Sequence, residues 1–73
     1  MKHPSVQAQQ TRKLVADIRR VVDILNVDIA HEESLTGVSD PKLQEYSMVA
    51  RALTARRENL ESTVTALEAR LTS

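Results

Sequence analysis

The sequence predicts an all-α fold in which two helices of similar length pack as an antiparallel hairpin. Two observations predict it. Apolar residues recur at alternating spacings of three and four in both halves of the chain, which is typical of helices with one buried seam. A short segment between the halves carries residues that end one helix and begin another. With 73 residues the chain is expected to form a single domain, 1–73.

The first helix is predicted over about residues 5–35, because no glycine or proline lies between Val6 and Leu35. Ser5 is the expected N-cap, with Pro4 in the first turn behind His3 as the alternative. The seam lies within an arc of about 120°, at roughly 100° per residue. Its expected members are Val15, Ile18, Val22, Leu25 and Ile29, broadened by Leu14 and Val21.

The loop is predicted at about residues 36–40. Gly37, the only glycine, can adopt the left-handed conformation that ends a helix. Asp40 is expected to cap the second helix, and Pro41 suits its first position, where a missing N–H costs nothing. A loop this short favours antiparallel neighbours.

The second helix is predicted over about residues 41–71, where the 3–4 spacing continues for four heptads from Leu43. The first positions of the heptads, called a here, are Leu43, Ala50, Arg57, Val64 and Leu71. The fourth positions, called d, are Tyr46, Leu53, Leu60 and Leu67. Folding the chain about residue 38 or 39 places Val22 near Arg57, Ile18 near Leu60 and Val15 near Val64.

The two apolar arcs are too wide for one helix–helix contact to cover. Two hairpins would cover them as a four-helix bundle, so the sequence predicts a homodimer. The pattern leaves open whether each hairpin closes on itself or exchanges helices as a domain-swapped dimer. It also leaves open whether the two hairpins lie parallel or antiparallel.

Composition excludes several function classes. Ten acidic and ten basic residues give a net charge of zero, which disfavours a polybasic membrane anchor or a strongly basic nucleic-acid binder. No apolar run approaches the roughly 20 residues that span a bilayer, and the N-terminus lacks a signal-peptide pattern. We therefore expect a cytoplasmic protein. No Gly-rich phosphate cradle is present, and no His stands in recognisable relation to a Ser, so neither an enzyme nor a cofactor is expected.

A metal site is the first candidate for a ligand site. Asp28 and His31 have the carboxylate-x-x-His spacing of di-metal helix bundles, and Glu32 follows in a seam position. His31 points away from the seam, however, and the second helix holds no matching pair, so no metal is expected. In the alternative interpretation Glu32 is solvated or bonded to the Tyr46 hydroxyl.

Three further residues stand out from the pattern. Arg57 interrupts the seam, where it can set the register or pack its stem and extend its guanidinium to solvent; Glu61 is its expected partner. Ile24 and Val27 point away from the arc. They are either ordinary exposed hydrophobes or a surface for a protein partner.

Nucleic-acid binding is the main rival function. The basic residues that would contact phosphate are Arg12, Lys13, Arg19, Arg20, Arg51, Arg56 and Arg57. The layout resembles, in topology and length alone, a small plasmid-copy regulator, which is a hairpin dimer that binds RNA. Acidic residues interrupt the basic ones here, and phosphate affinity depends on uncompensated Lys and Arg.

The sequence therefore predicts a small protein–protein interaction module, an adaptor, regulator or assembly factor, that acts as a homodimer with a protein partner not yet known. The alternatives are a nucleic-acid-binding hairpin regulator and a metal-binding helix bundle.

Overall fold

The computed structural model describes residues 6–72 and consists of two helices packed against each other, α1 (Val6–Thr36) and α2 (Met48–Thr72). No strand occurs within residues 6–72. The hairpin is elongated, measuring 57 × 17 × 12 Å. The all-α hairpin is therefore confirmed, whereas the predicted Ser5 cap and the Pro4–His3 alternative lie outside the described residues. Neither helix is long and apolar enough to cross a bilayer.

The end of α1 lies where the sequence predicts it, within one residue. Gly37 has a φ of 71°, and its N–H donates to the Glu33 carbonyl oxygen at 2.9 Å. The Thr36 hydroxyl accepts from the Val38 N–H at 3.3 Å and lies 3.2 Å from the Glu33 carbonyl oxygen as a donor. Left-handed backbone favours glycine because it has no Cβ, so Gly37 ends the helix as expected.

The second helix starts later than predicted. The Asp40 carboxylate accepts from the Lys42 N–H at 2.9 Å, as a cap would. The chain then makes two successive turns, closed by the Leu43 N–H on the Asp40 carbonyl and the Tyr46 N–H on the Leu43 carbonyl, both at 3.1 Å. The prediction of helix over residues 41–47 is therefore wrong, and Leu43 and Tyr46 belong to the loop.

Ser47 is the N-cap of α2. Its hydroxyl accepts from the Ala50 N–H at 3.1 Å, and its carbonyl accepts from the Arg51 N–H at 3.0 Å. This is the usual geometry of a serine cap, which satisfies an amide that has no partner inside the helix.

The longer loop changes the register of the two helices. Arg57, expected opposite Val22, instead donates a hydrogen bond to the Asn26 side chain, one turn closer to the loop. Val64, expected opposite Val15, lines a depression together with Val22. Both shifts have one cause: residues 37–47 fold into turns and advance less along the hairpin axis than the predicted helical residues would.

The buried core is densest beside the loop. Ile29, Tyr46 and Ala50 form one cluster, with Val38 and Leu53 packed against it. Ala50 is fully buried, which allows the backbones of α1 and α2 to approach closely at this level. Farther from the loop the buried side chains are Val15, Val22, Leu25 and Val64.

Candidate interaction surface

The contact between α1 and α2 has two flanks with different chemistry. We call one the polar flank; it is defined by Arg19, Asn26, Arg57, Glu61 and Glu68. On it the Arg19 guanidinium lies 2.6 Å from the Glu68 carboxylate. Farther toward the loop, the Arg57 guanidinium donates to the Asn26 side-chain oxygen at 2.9 Å. Side chains of opposite or complementary character therefore close this flank along its length.

Arg57 behaves as a bridge on the polar flank. Its side chain is 29% exposed, and its Nε lies 3.7 Å from a Glu61 carboxylate oxygen, the partner expected from the sequence. The bond to Asn26 was not predicted, because it depends on the register of the two helices. Arg57 thus packs its stem in the seam and places its guanidinium among polar partners at the edge.

The opposite flank is apolar, and we call it the apolar flank. On α1 the spacing of four and then three residues places Ile18 and Val21 on the same face as Leu14, and on α2 the leucines repeat every seven residues. Leu14 and Arg70 line one depression, which places this face of α1 beside α2. The apolar flank is defined by Leu14, Ile18, Val21, Leu53, Leu60 and Leu67.

The apolar flank is only partly covered within one hairpin. Leu14 is 47% exposed and Val21 37%, and the other four residues are half-buried. By contrast, the a-type positions Ala50 and Val64 are buried. The helices are therefore rolled so that Ala50 and Val64 are buried and the polar flank closes, while the leucines at the d-type positions are only half-buried.

This roll divides the predicted core residues into two groups. The buried ones are Val15, Val22, Leu25, Ile29, Tyr46 and Val64. The half-buried ones are Ile18, Leu53, Leu60, Leu67 and Leu71. All of the second group except Leu71 belong to the apolar flank, so the incomplete burial is concentrated on one side of the hairpin.

The depression on the polar flank has a volume of about 310 Å³ and is open to solvent. Its walls include the Arg19–Glu68 ion pair and the side chains of Val22, Asp23 and Val64. Arg19 is the one cationic residue that lines the depression, and it already pairs with the Glu68 carboxylate. The depression therefore offers no unpaired positive charge to an anionic ligand.

The loop end holds a small polar network around Tyr46. The Tyr46 hydroxyl donates to a Glu33 carboxylate oxygen at 2.8 Å. The Arg51 guanidinium lies 5.3 Å from the centre of the Tyr46 ring and donates to the Pro41 carbonyl at 3.0 Å. Arg51 thereby satisfies a carbonyl that the missing helical turn leaves free, a role that the sequence analysis did not predict.

The Glu33 carboxylate raises the pKa of Tyr46 above its ordinary value. The hydrogen bond to Glu33 is the main cause, because ionising the phenol removes the shared proton and places two negative charges side by side; burial acts in the same direction. The sequence left Glu32 as either solvated or bonded to this hydroxyl, and in the structure the bond is made to Glu33 instead.

The metal candidates do not come together. Asp28 and His31 are exposed and Glu32 is half-buried. Within residues 6–72 no group of three or more His, Asp or Glu side chains is arranged to hold a metal ion.

The structure also shows the exposure of the predicted protein-partner surface and the contacts of the predicted phosphate-binding residues. Ile24 is 56% exposed and Val27 68%, so both face solvent. Of the seven basic candidates for phosphate contact, four bind protein groups: Arg19, Arg20, Arg51 and Arg57. Arg19, Arg20 and Arg57 each lie beside a carboxylate, which offsets part of the positive charge that a nucleic acid would meet.

Comparison with protein-family models, with curated proteins and with solved structures finds no match to this chain. The function is therefore inferred from the difference between the closed polar flank and the partly exposed apolar flank, and from the exposed side chains around them.

Proposed function

We propose that this chain is a small helical protein–protein interaction module that acts as a homodimer, with the apolar flank as its contact surface. The observation that carries the proposal is the inequality of the two flanks. A hairpin that functioned alone would leave these six apolar side chains partly exposed to water, whereas an interface places such residues at its centre.

The amount of exposed surface supports association. The chain exposes 5783 Å², whereas a compact folded protein of 8.2 kDa exposes roughly 4,500 Å². The excess of roughly 1,300 Å² is larger than the roughly 800 Å² that each partner contributes to an interface of standard size. Covering the apolar flank would remove part of this excess and complete the burial of Ile18, Leu60 and Leu67.

The dimer would leave other surface for a further protein. Val27 lies outside the apolar flank, and Ile24 lies at its outer edge beside Val21. As an adaptor, regulator or assembly factor, the dimer would present these two side chains to a protein partner. Nucleic-acid binding is the weaker alternative, because the basic groups are largely engaged and the net charge is zero.

Sedimentation equilibrium at micromolar concentration tests the proposal. We expect twice the monomer mass of 8.2 kDa. Leu14→Lys/Val21→Lys should give the monomer mass, because two charges in the contact surface would be desolvated without partners. Ala16→Lys/Ala30→Lys is the matched control, since both alanines are exposed on the same helix outside the apolar flank. A monomeric parent chain, or a Leu14→Lys/Val21→Lys variant that remains a dimer, would refute the proposal.

A further inference from the structure

We infer that the apolar flank receives a second copy of this chain with both loops at the same end of the dimer, so that α1 of each copy lies against α2 of the other. The inference rests on the proposed function and adds the arrangement of the two copies. Charge complementarity along the rim of the apolar flank is the observation that supports it.

The two rims of the apolar flank carry opposite charges. On α1 the line of residues that contains Leu14 and Val21 continues seven residues later at Asp28, and Asp17 lies one turn before Val21. On α2 the line next to the leucines carries Arg56 and Arg70, fourteen residues apart. The α1 rim is therefore acidic and the α2 rim is basic.

Two of these charges have no partner within one hairpin. Asp28 and Arg56 form no ion pair or hydrogen bond within residues 6–72. Asp17 lies 3.6 Å from Arg20 on the exposed surface. Charged groups left unpaired at the border of an apolar surface are suited to pairing across an interface, where they select partner orientation.

The cross-helix bonds fix the height of each charge along the hairpin. Because Arg57 bonds to Asn26, Arg56 lies at about the level of Asp28. Because Arg19 bonds to Glu68, Arg70 lies at about the level of Asp17. The acidic and basic rims therefore carry their charges at matching heights.

Two symmetric arrangements bring one apolar flank onto another. A two-fold axis along the hairpin keeps every height and places α1 over α2 of the second copy, so that Asp28 meets Arg56 and Asp17 meets Arg70. A two-fold axis across the hairpin places α1 over α1 and α2 over α2, which brings arginines near arginines and aspartates near aspartates. Like charges opposed at an interface are unfavourable, so the first arrangement is selected.

Disulfide trapping tests the arrangement, since the chain contains no cysteine that could interfere. Chains carrying Asp28→Cys alone and Arg56→Cys alone are mixed, one of them with a mass tag, and oxidised mildly. We expect the mixed disulfide dimer. Val21→Cys alone tests the other arrangement, in which the two-fold axis runs across the hairpin and α1 lies over α1. Val21 lies near the middle of the apolar flank, so in that arrangement it would meet Val21 of the second copy and form a disulfide.

A charge-reversal cycle supplies the second measurement. Asp28→Arg and Arg56→Asp should each weaken the dimer several-fold at low salt, and the double exchange should restore most of the loss. The cycle reads the dimer dissociation constant by sedimentation, so a change in stability that is equal in the monomer and in the dimer does not affect the result.

The two measurements must agree, and a cycle without restoration overturns the arrangement. A mixed disulfide together with restoration in the cycle supports the arrangement. Trapping through Val21→Cys alone, or a dimer that is trapped by neither design, overturns the arrangement and leaves the homodimer standing. A parent chain that sediments as a monomer overturns the proposed function itself.

Discussion

The loop end and the open end of the hairpin are held by different means. Beside the loop, Ile29 and Tyr46 are buried with Ala50, and the Tyr46–Glu33 hydrogen bond lies next to them. At the open end, where α1 begins and α2 finishes, the cross-helix contact includes the Arg19–Glu68 pair, with side chains 58% and 47% exposed. The loop end is thus stabilised by buried contacts, whereas the open end relies on an exposed ion pair and leaves Leu14 and Val21 partly uncovered.

The largest expected effect distinguishes two isoleucines of α1. Ile29 is 6% exposed and Ile18 is half-buried on the apolar flank. Ile29→Ala should lower the free energy of unfolding by about 2–5 kcal/mol, the range for a buried isoleucine. Ile18→Ala should cost less in dilute solution and more at concentrations at which the proposed dimer would form. Urea unfolding followed by circular dichroism at two protein concentrations measures both; equal, concentration-independent losses would show that the ends do not differ.

The next effect concerns the cap that begins α2 at the loop end. Ser47→Ala should destabilise the hairpin by about 1 kcal/mol, because the Ala50 N–H loses its acceptor. Ser47→Asp should retain most of the stability, since aspartate is also a good cap. Ser39→Ala is the control at an exposed loop serine and should change stability by less than about 0.5 kcal/mol. A loss in Ser47→Asp as large as in Ser47→Ala would contradict the cap.

The smallest expected effect is spectroscopic. Tyr46 is the only aromatic residue, so absorbance of the ionised phenol reports its titration directly. Its pKa should lie above that of tyrosine in the unfolded chain, and Glu33→Gln should lower it by removing the adjacent charge. Glu32→Gln is the matched control, because Glu33 is the residue that bonds to this hydroxyl. Identical titrations in the parent chain and Glu33→Gln would exclude the Glu33 carboxylate as the cause.

The same shift has a consequence for stability at high pH. Because the pKa of Tyr46 is raised on folding, its contribution is fully present below the pKa of unfolded tyrosine, about 10. That contribution is lost as the pH rises through the folded value. The loop end should therefore loosen in alkali through Tyr46.

The sequence was sufficient for the helical hairpin and for the end of α1. A glycine that ends a helix and an apolar repeat are local signals. They depend on neighbouring residues and not on long-range contacts, so they can be read from the sequence. The start of α2 was missed because Asp40 and Ser47 are equally good caps. The choice between them depends on Tyr46 reaching Glu33, 13 residues away, and on Arg51 binding the loop carbonyl of Pro41.

The sequence identified the apolar residues of the candidate surface but not how far each of them is buried. A heptad pattern identifies the a-type and d-type residues but treats them alike, so Leu60 and Val64 appeared equally buried in the sequence. The rotation of the helices that leaves the d-type leucines half-buried is coupled to polar contacts between distant residues. One example is the contact of Arg19 with Glu68, which is 49 residues away in the sequence. No local pattern encodes that pairing.

The cross-helix bonds also imply an order of folding. Their sequence separations grow from 13 residues for Tyr46–Glu33, through 31 for Arg57–Asn26, to 49 for Arg19–Glu68. Closing a short segment costs less entropy than closing a long one, so contacts beside the loop form first and the helices zip toward their free ends. Such low contact order gives fast folding. In dilute solution we therefore expect each chain to close on itself first, and the dimerisation that we propose would follow as a separate bimolecular step.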